Sequence, residues 1–243
     1  MDNESLWFRH QENKNHKMLG LLRLTKIVIL FVGFVFCLWG DVFSSWPEFW
    51  LSSDCFPGSA QGTQAAVSLA FDGTNFLVVW EDERRSSQKD IFGARVSLEG
   101  EILDPIGIPI CTSRVYHSYA NAAWGGENYL VVWQEWSNGN WTVLGARINP
   151  DGYVLDPDGF IVAGGSEWAV NPAVASDGTD FFVVWSQEKG ATFFDIYGTR
   201  ITASGEVLDP EGILICATDL PEYYSSVACN GSTYLVTWEH NQW

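Results

Sequence analysis

Five glutamates outside turn sequences, Glu127, Glu135, Glu167, Glu188 and Glu222, are the side chains best suited to acid–base chemistry. Two carboxylates about 5–10 Å apart can cleave a glycosidic bond, one protonating the leaving oxygen while the other attacks or activates water. No spacing among the five selects such a pair. His117 is the one histidine well inside the patterned part of the chain, and a lone histidine is more often a structural polar group than a base. Phosphate loops, nucleophile elbows and metal-ligand spacings are missing from the sequence. Catalytic residues therefore stay unassigned, and neither a cofactor nor a metal is expected.

Aromatic side chains beside acids offer a second chemistry. Tyr116, His117 and Tyr119, then Trp136 and Trp141, then Trp168, then Tyr223 and Tyr224 lie in segments that differ from one another while their surroundings recur. Rings next to carboxylates suit stacking on sugar faces or clasping a peptide. These eight are the candidate ligand-binding residues. The alternative is that the rings pack against their own loops.

Those segments are spaced by a repeat. Trp80, Trp133, Trp185 and Trp238 stand 53, 52 and 53 residues apart. Gly93, Gly145 and Gly198 keep the step, as do Arg95, Arg147 and Arg200, and Asp104, Asp156 and Asp209. A period near 50 residues marks stacked supersecondary units. Within each unit the runs FLVVW, YLVVW, FFVVW and YLVTW are apolar at nearly every position. Continuous short runs of β-branched and aromatic residues predict a strand covered on both faces. Asp72-Gly73, Asp177-Gly178 and Asn230-Gly231 precede these runs and predict hairpin turns. The acids there are read as turn formers rather than calcium ligands.

A third strand follows (IFGARV, VLGARI, IYGTRI). Its glycine predicts close approach by a neighbour, for which the Trp of the second strand is the proposed group. Its arginine is expected to pair with a carboxylate such as Asp82 or Asp90. The fourth strand is interrupted by Asp-Pro-x-Gly, whose residue preferences are those of a type I turn. Four short antiparallel strands in about 52 residues describe an all-β fold, a β-propeller-like array of four-stranded blades. A β-solenoid or sandwich also stacks sheets and stays the alternative.

With those phrases in place, residues 65–243 resemble the tandem blade-like repeats of exported bacterial proteins. Val-Val-Trp, Asp195-Ile196-Tyr197-Gly198-Thr199-Arg200 and Leu-Asp-Pro-x-Gly carry the resemblance, and the second copy departs at Thr142-Val143-Leu144-Gly145. It implies a propeller in an extracellular setting and carries over no catalytic residue. The repeats divide as 65–117, 118–169, 170–222 and a partial 223–243, about 3.4 copies, where propellers close with about 4–8 blades. A fragment of a longer chain, or a closing strand from 45–64, would reconcile the count; further blades of a longer chain or another copy are the implied partners.

Residues 1–44 read as a signal peptide or membrane anchor built on an apolar helix. Arg23 and Lys26 precede the thirteen-residue run Ile27–Trp39, short of the roughly 20 residues a bilayer span needs. Secretion or display at the cell surface is expected, with membrane contact only through this segment. Residues 41–243 carry 8 Lys+Arg against 27 Asp+Glu, which leaves no basic stripe for nucleic acid. Cys111 and Cys216 share one repeat position that Ala163 fills in the middle copy; Cys216 and Cys229 are close enough in sequence to be a disulfide candidate. The composite expectation is a non-catalytic recognition, adhesion or scaffolding module whose partner is carbohydrate or an extracellular protein or peptide, with a glycoside hydrolase second.

Overall fold

The computed structural model describes residues 62–85, 88–157, 159–190 and 193–240. The expected export segment, the 45–64 linker up to residue 61 and Cys37 and Cys55 lie outside these residues. Within them the chain is all-β. The first sheet runs β1 (Gln64–Phe71), β2 (Asn75–Asp82), β3 (Asp90–Ser97) and β4 (Ile108–Cys111) in chain order. The second repeats this with β5 (Tyr116–Trp124), β6 (Tyr129–Ser137), β7 (Asn140–Ile148) and β8 (Phe160–Ala163). The third has β9 (Ala169–Ser176), β10 (Phe181–Lys189), β11 (Phe193–Ile201) and β12 (Ile213–Cys216); β13 (Glu222–Cys229) and β14 (Tyr234–His240) form a two-stranded fourth. Every pairing is antiparallel. These are propeller-type blades.

Local chemistry sets the hairpins. The Asp72 carboxylate accepts from the backbone N–H of Thr74 and of Asn75 at 2.6 and 2.7 Å, while Gly73 takes φ +98°. Asp177 does the same for Thr179 and Asp180, and Asn230 for Ser232 and Thr233. These are the turn-forming roles expected of them.

Sheets stack through their second strands. All five residues from Tyr129 to Trp133 are 0% exposed, which only cover on both faces can produce. Tyr129, Val131 and Trp133 meet Leu77 and Val79 of the first blade, while Leu130 and Val132 meet Phe181, Val183 and Trp185 of the third. Phe182 and Val184 continue the stack onto Tyr234 and Val236. Burying each such side chain contributes roughly 1.5–3 kcal/mol. The run in β14 departs from the expectation. Its residues alternate between half-buried and exposed, because among the described residues it is packed by the third blade alone.

Two recurring positions find partners other than those expected. Arg95, Arg147 and Arg200 grip Asp104, Asp156 and Asp209 nine residues on, not Asp82 or Asp90. Each aspartate also serves the turn, its backbone carbonyl accepting from Gly107, Gly159 or Gly212 at 2.9–3.0 Å. Asp82 is instead bound by Arg84 at 2.6 Å. The tryptophans cover that turn glycine: a Cβ on Gly159 would sit 2.9 Å from the Trp133 ring, and Gly107 and Gly212 face Trp80 and Trp185 in the same way. Gly93 and Gly145 are crowded by the fourth-strand side chains Ile110 and Val162, and Gly198 by Ile215 of the fourth strand and, closer still, the Phe182 ring of the second.

The arginines also join blades. Arg95 Nη1 donates to the Pro150 carbonyl at 3.0 Å and Arg147 Nη1 to that of Ala203 at 3.5 Å. Gly152 and Gly205 let the guanidinium in, since a Cβ on either would fall 2.9 Å from its Nε. Tyr129 and Tyr234 make parallel links, their hydroxyls donating to the carbonyls of Asn75 and Asp180 in the preceding blades. Cys216 and Cys229 form no disulfide with each other.

Candidate functional site

The predicted rings sit near the strand ends that border the loops between second and third strands and the links between blades, with Trp168 in a link itself. Tyr116 opens β5, and Trp136 and Trp141 flank the Asn138-Gly139 turn, both of whose residues have positive φ. Such a two-residue turn holds β6 and β7 in tight register and sets Trp136 directly opposite Trp141. Ring centroids then step from Tyr116 to Trp141 (6.0 Å), Trp141 to Trp136 (5.2 Å) and Trp136 to Trp168 (5.6 Å), two of the three contacts edge-to-face. Lys89 Nζ approaches the Tyr116 ring at 5.7 Å.

A second ring group forms on the first strands of the blades. The pairing of β5 with β6 slips between Ser118 and Asn121, and that of β13 with β14 between Tyr223 and Ser226. Inside these bulges Tyr119 and Tyr224 take φ +57° and +51°, with Asn171 of β9 at +54°. The preceding blade clamps two of them. Glu81 accepts from the Tyr119 N–H at 2.7 Å, and Gln134 from that of Asn171 at 2.8 Å. Glu81 also binds Lys89 at 2.6 Å, which raises the lysine's pKa. Tyr119 and Tyr224 belong to blades that are not sequential, yet their phenols interact. Burial first, then Tyr224, pushes the Tyr119 hydroxyl up. Tyr223 joins them, 6.2 Å from Tyr224 and 4.9 Å from Phe194.

Seven of the eight predicted binding residues thus fall into two ring clusters. His117 does not. It is 0% exposed, on the opposite side of β5 from Tyr116, and stands apart from both clusters. Its Nδ1 lies 2.7 Å from the Lys89 carbonyl, which can only accept, so Nδ1 carries the proton. Nε2 faces Ser113 Oγ at 2.9 Å, Cys111 Sγ at 3.3 Å and Glu135 Oε2 at 3.3 Å. Sequence reasoning missed this grouping because the three ligand-type residues come from β4, β5 and β6. The signal that could have found it is a second set, Cys216, Thr218, Glu222 and His240, each 105 positions after Cys111, Ser113, His117 and Glu135.

The remaining glutamates have separate surroundings. Glu167 pairs with Lys189 at 2.8 Å, Glu188 accepts from the Trp168 N–H, Glu222 is 0% exposed, and Glu127 is exposed beside the β5–β6 turn. A recess beside β10, β11 and the segment after β12 is lined by Lys189, Phe193, Asp195, Ala217, Thr218 and Asp219. Burial, then the charge of Glu222, raises the Asp195 carboxyl above its ordinary range.

The sequence matches no protein-family profile and no curated protein. In fold it is similar to an α-L-arabinofuranosidase from Lactobacillus brevis, at 11% identity and TM-score 0.51 over 77% of this chain and 70% of that one. It is similar also to an endo-arabinase from Bacteroides thetaiotaomicron, at 12% identity and TM-score 0.50 over 78% and 74%. A neuraminidase-like protein of A/little yellow-shouldered bat/Guatemala aligns at 13% identity and TM-score 0.45 over 68% of this chain, which spans about half (48%) of its length. The likeness is one of fold.

Proposed function

We propose that this chain is a carbohydrate-recognition module of propeller type, exported to the cell surface or medium, which binds its ligand by ring stacking and does not cleave it. The observation that carries this reading is the pair Tyr119 and Tyr224. A non-glycine residue in the left-handed region costs of order 1–3 kcal/mol. Rings still 45% and 52% exposed recover little of that by burial. Bulges kept at such cost, and turned to display tyrosines, fit a surface built for contact rather than for packing. The row Tyr116–Trp141–Trp136–Trp168 extends the stacking surface, and Trp168 stays 37% exposed at its end. Export is supported by the run Ile27–Trp39 and by the resemblance to exported repeat proteins.

Titration of the full chain with soluble polysaccharides, arabinan among them, tests this by tryptophan fluorescence. Tyr119→Ala, Tyr224→Ala and Trp168→Ala should each weaken binding about tenfold, the stacking worth of one ring, without lowering the thermal midpoint. A chain that binds none of a broad glycan panel contradicts the reading. Binding of an extracellular peptide through the same rings would reassign the partner. A hydrolytic second reading has one observation in its favour, the raised carboxyl of Asp195 in the recess beside Lys189. Sugar release by the parent that Asp195→Asn abolishes would select it.

A further inference from the structure

The junction between the first two blades gathers more lone pairs than protons. His117 spends its Nδ1–H on the Lys89 carbonyl, which leaves Nε2 facing Cys111, Ser113 and Glu135. Cys111 Sγ, His117 Nε2 and Glu135 Oε2 all lie within 4.8 Å of one another, with the Cys and His buried. Nε2 and Glu135 Oε2, 3.3 Å apart, are lone-pair donors that a bound cation, or a proton on the ring, would bridge. A histidine whose outer N–H is fixed by a backbone carbonyl is the usual arrangement of a metal ligand.

Two independent features point the same way. The residue two after each Trp normally caps the indole: Trp80 Nε1 donates to Asp82 at 2.7 Å and Trp185 Nε1 to Gln187 at 2.8 Å. At the second blade that residue is Glu135, which turns to His117 instead and leaves Trp133 Nε1 buried with no hydrogen-bond partner. Something at the junction must offset that loss. The other feature is the second set, where histidine and carboxylate exchange strands. Position 117 corresponds to Glu222, and position 135 to His240, directly opposite each other in the β13–β14 ladder as His117 and Glu135 are in β5–β6. Cys216 Sγ and His240 Nδ1 lie 3.7 and 3.6 Å from Glu222 Oε1, and Glu222 Oε2 is buried without a partner. A Cys, a His and a Glu are present at both junctions although their strand positions differ. At the middle junction all three are gone together, as Ala163, Ala169 and Gln187.

We propose that Cys111, His117 and Glu135 form a zinc site that staples the last strand of the first blade to the first two strands of the second. One sulfur, one nitrogen and one oxygen suit a borderline-soft ion that accepts tetrahedral S, N and O donors. Binding releases the thiol proton to solvent and needs no redox step. Glu135, with 17% of its side chain exposed, lies on the solvent side, where the ion enters.

The test uses the full chain, reduced and equilibrated with an excess of Zn2+ or, as a spectroscopic probe, Co2+, then freed of unbound metal by gel filtration. Retained metal, a thiolate-to-cobalt charge-transfer band and a thermal midpoint raised by Zn2+ are expected. The variant Cys111→Ala/His117→Ala/Glu135→Gln reproduces the composition of the middle junction, which this chain already packs. In chelator it should melt no lower than the parent, since Gln can cap Trp133 as Gln187 caps Trp185. It should lose one metal equivalent and the zinc-dependent rise in midpoint, whatever the Cys216 set retains. A parent that keeps no metal, or a variant that keeps as much as the parent, overturns the site. Should the triple variant fail to fold, Cys111→Ser decides alone: metal content and zinc-dependent midpoint equal to the parent's overturn it.

Discussion

Trp133→Ala is expected to lower stability by about 3–5 kcal/mol, the cost of a large buried side chain lost together with the cavity it leaves. Trp133 is fully buried and fixed from several directions at once, by Leu77 and Val79 from the preceding blade and by Gly159 beneath its ring. A strand covered on both faces has little room to collapse, which places this site at the costly end of the range. Because its indole N–H has no partner, the whole loss is packing. Trp185→Ala removes similar packing plus the hydrogen bond to Gln187, whereas Trp238→Ala acts on a partly buried ring and should cost less, about 1–2 kcal/mol. Guanidinium denaturation of the three variants measures the order. Equal losses at Trp133 and Trp238 would contradict the stacking described here. Gly159→Ala supplies a coupled check. Its Cβ would strike the Trp133 ring at 2.9 Å, so its cost should fall in the Trp133→Ala background toward the strain of φ +76° alone.

The strands and hairpins were legible because their causes are local. Asp72 needs only its own next three residues to make a turn, and YLVVW is continuous because neighbours cover both faces. Partners across strands were harder. Nearness in sequence points Arg95 to Asp82 or Asp90, although neither position holds an aspartate in every complete copy: Asp82 becomes Glu135 and Gln187, and Asp90 becomes Thr142. Asp104 recurs wherever Arg95 does, so joint recurrence was the better guide. The tryptophan was assigned to the wrong glycine for a similar reason. Gly93 and Gly107 both recur, and only the register of β3 on β4 decides which of them meets Trp80.

Site residues depended on something the sequence does not display. Strict alternation from Tyr116 would put Tyr119 inside with His117. The bulge after Ser118 resets the parity, so His117 stays in the core and Tyr119 emerges. A bulge inserts one residue without a composition signature of its own, and here its clamp, Glu81, comes from another blade. The pairing of His117 with Glu135 likewise required the ladder, since seventeen intervening residues hide it.

Arg147→Ala is expected to cost about 2 kcal/mol, between the values for exposed and for buried ion pairs. Its Nε and Nη2 each meet one oxygen of Asp156, at 2.8 and 2.9 Å, and both side chains are about one-fifth exposed (19% and 21%). Removing it leaves that carboxylate without its counter-charge and cuts the link to Ala203. Arg200→Ala tests the same motif where the arginine is 57% exposed, and should cost less than about 1 kcal/mol. The pair also carries a pH signature. Burial alone would raise the Asp156 carboxyl, but hydrogen bonds from the Arg147 side chain and backbone N–H outweigh it and hold the group below its ordinary value. A carboxyl depressed in the folded state contributes stability that is complete above its unfolded pKa, about 3.9, and is lost as pH falls through the folded value. Asp104 and Asp209 are depressed through the same contacts, so the clamps should release together in acid. Asp90 and Asp195 oppose the trend, their carboxyls being raised chiefly by burial, and they soften the slope at higher pH. Denaturation of the parent and of Asp156→Asn from neutral pH down to about 3 should therefore give curves that are separated at neutrality and converge in acid. A gap that persists undiminished at the acid end would mean that Asp156 holds its turn by backbone geometry, and that Arg147 contributes no charge to it.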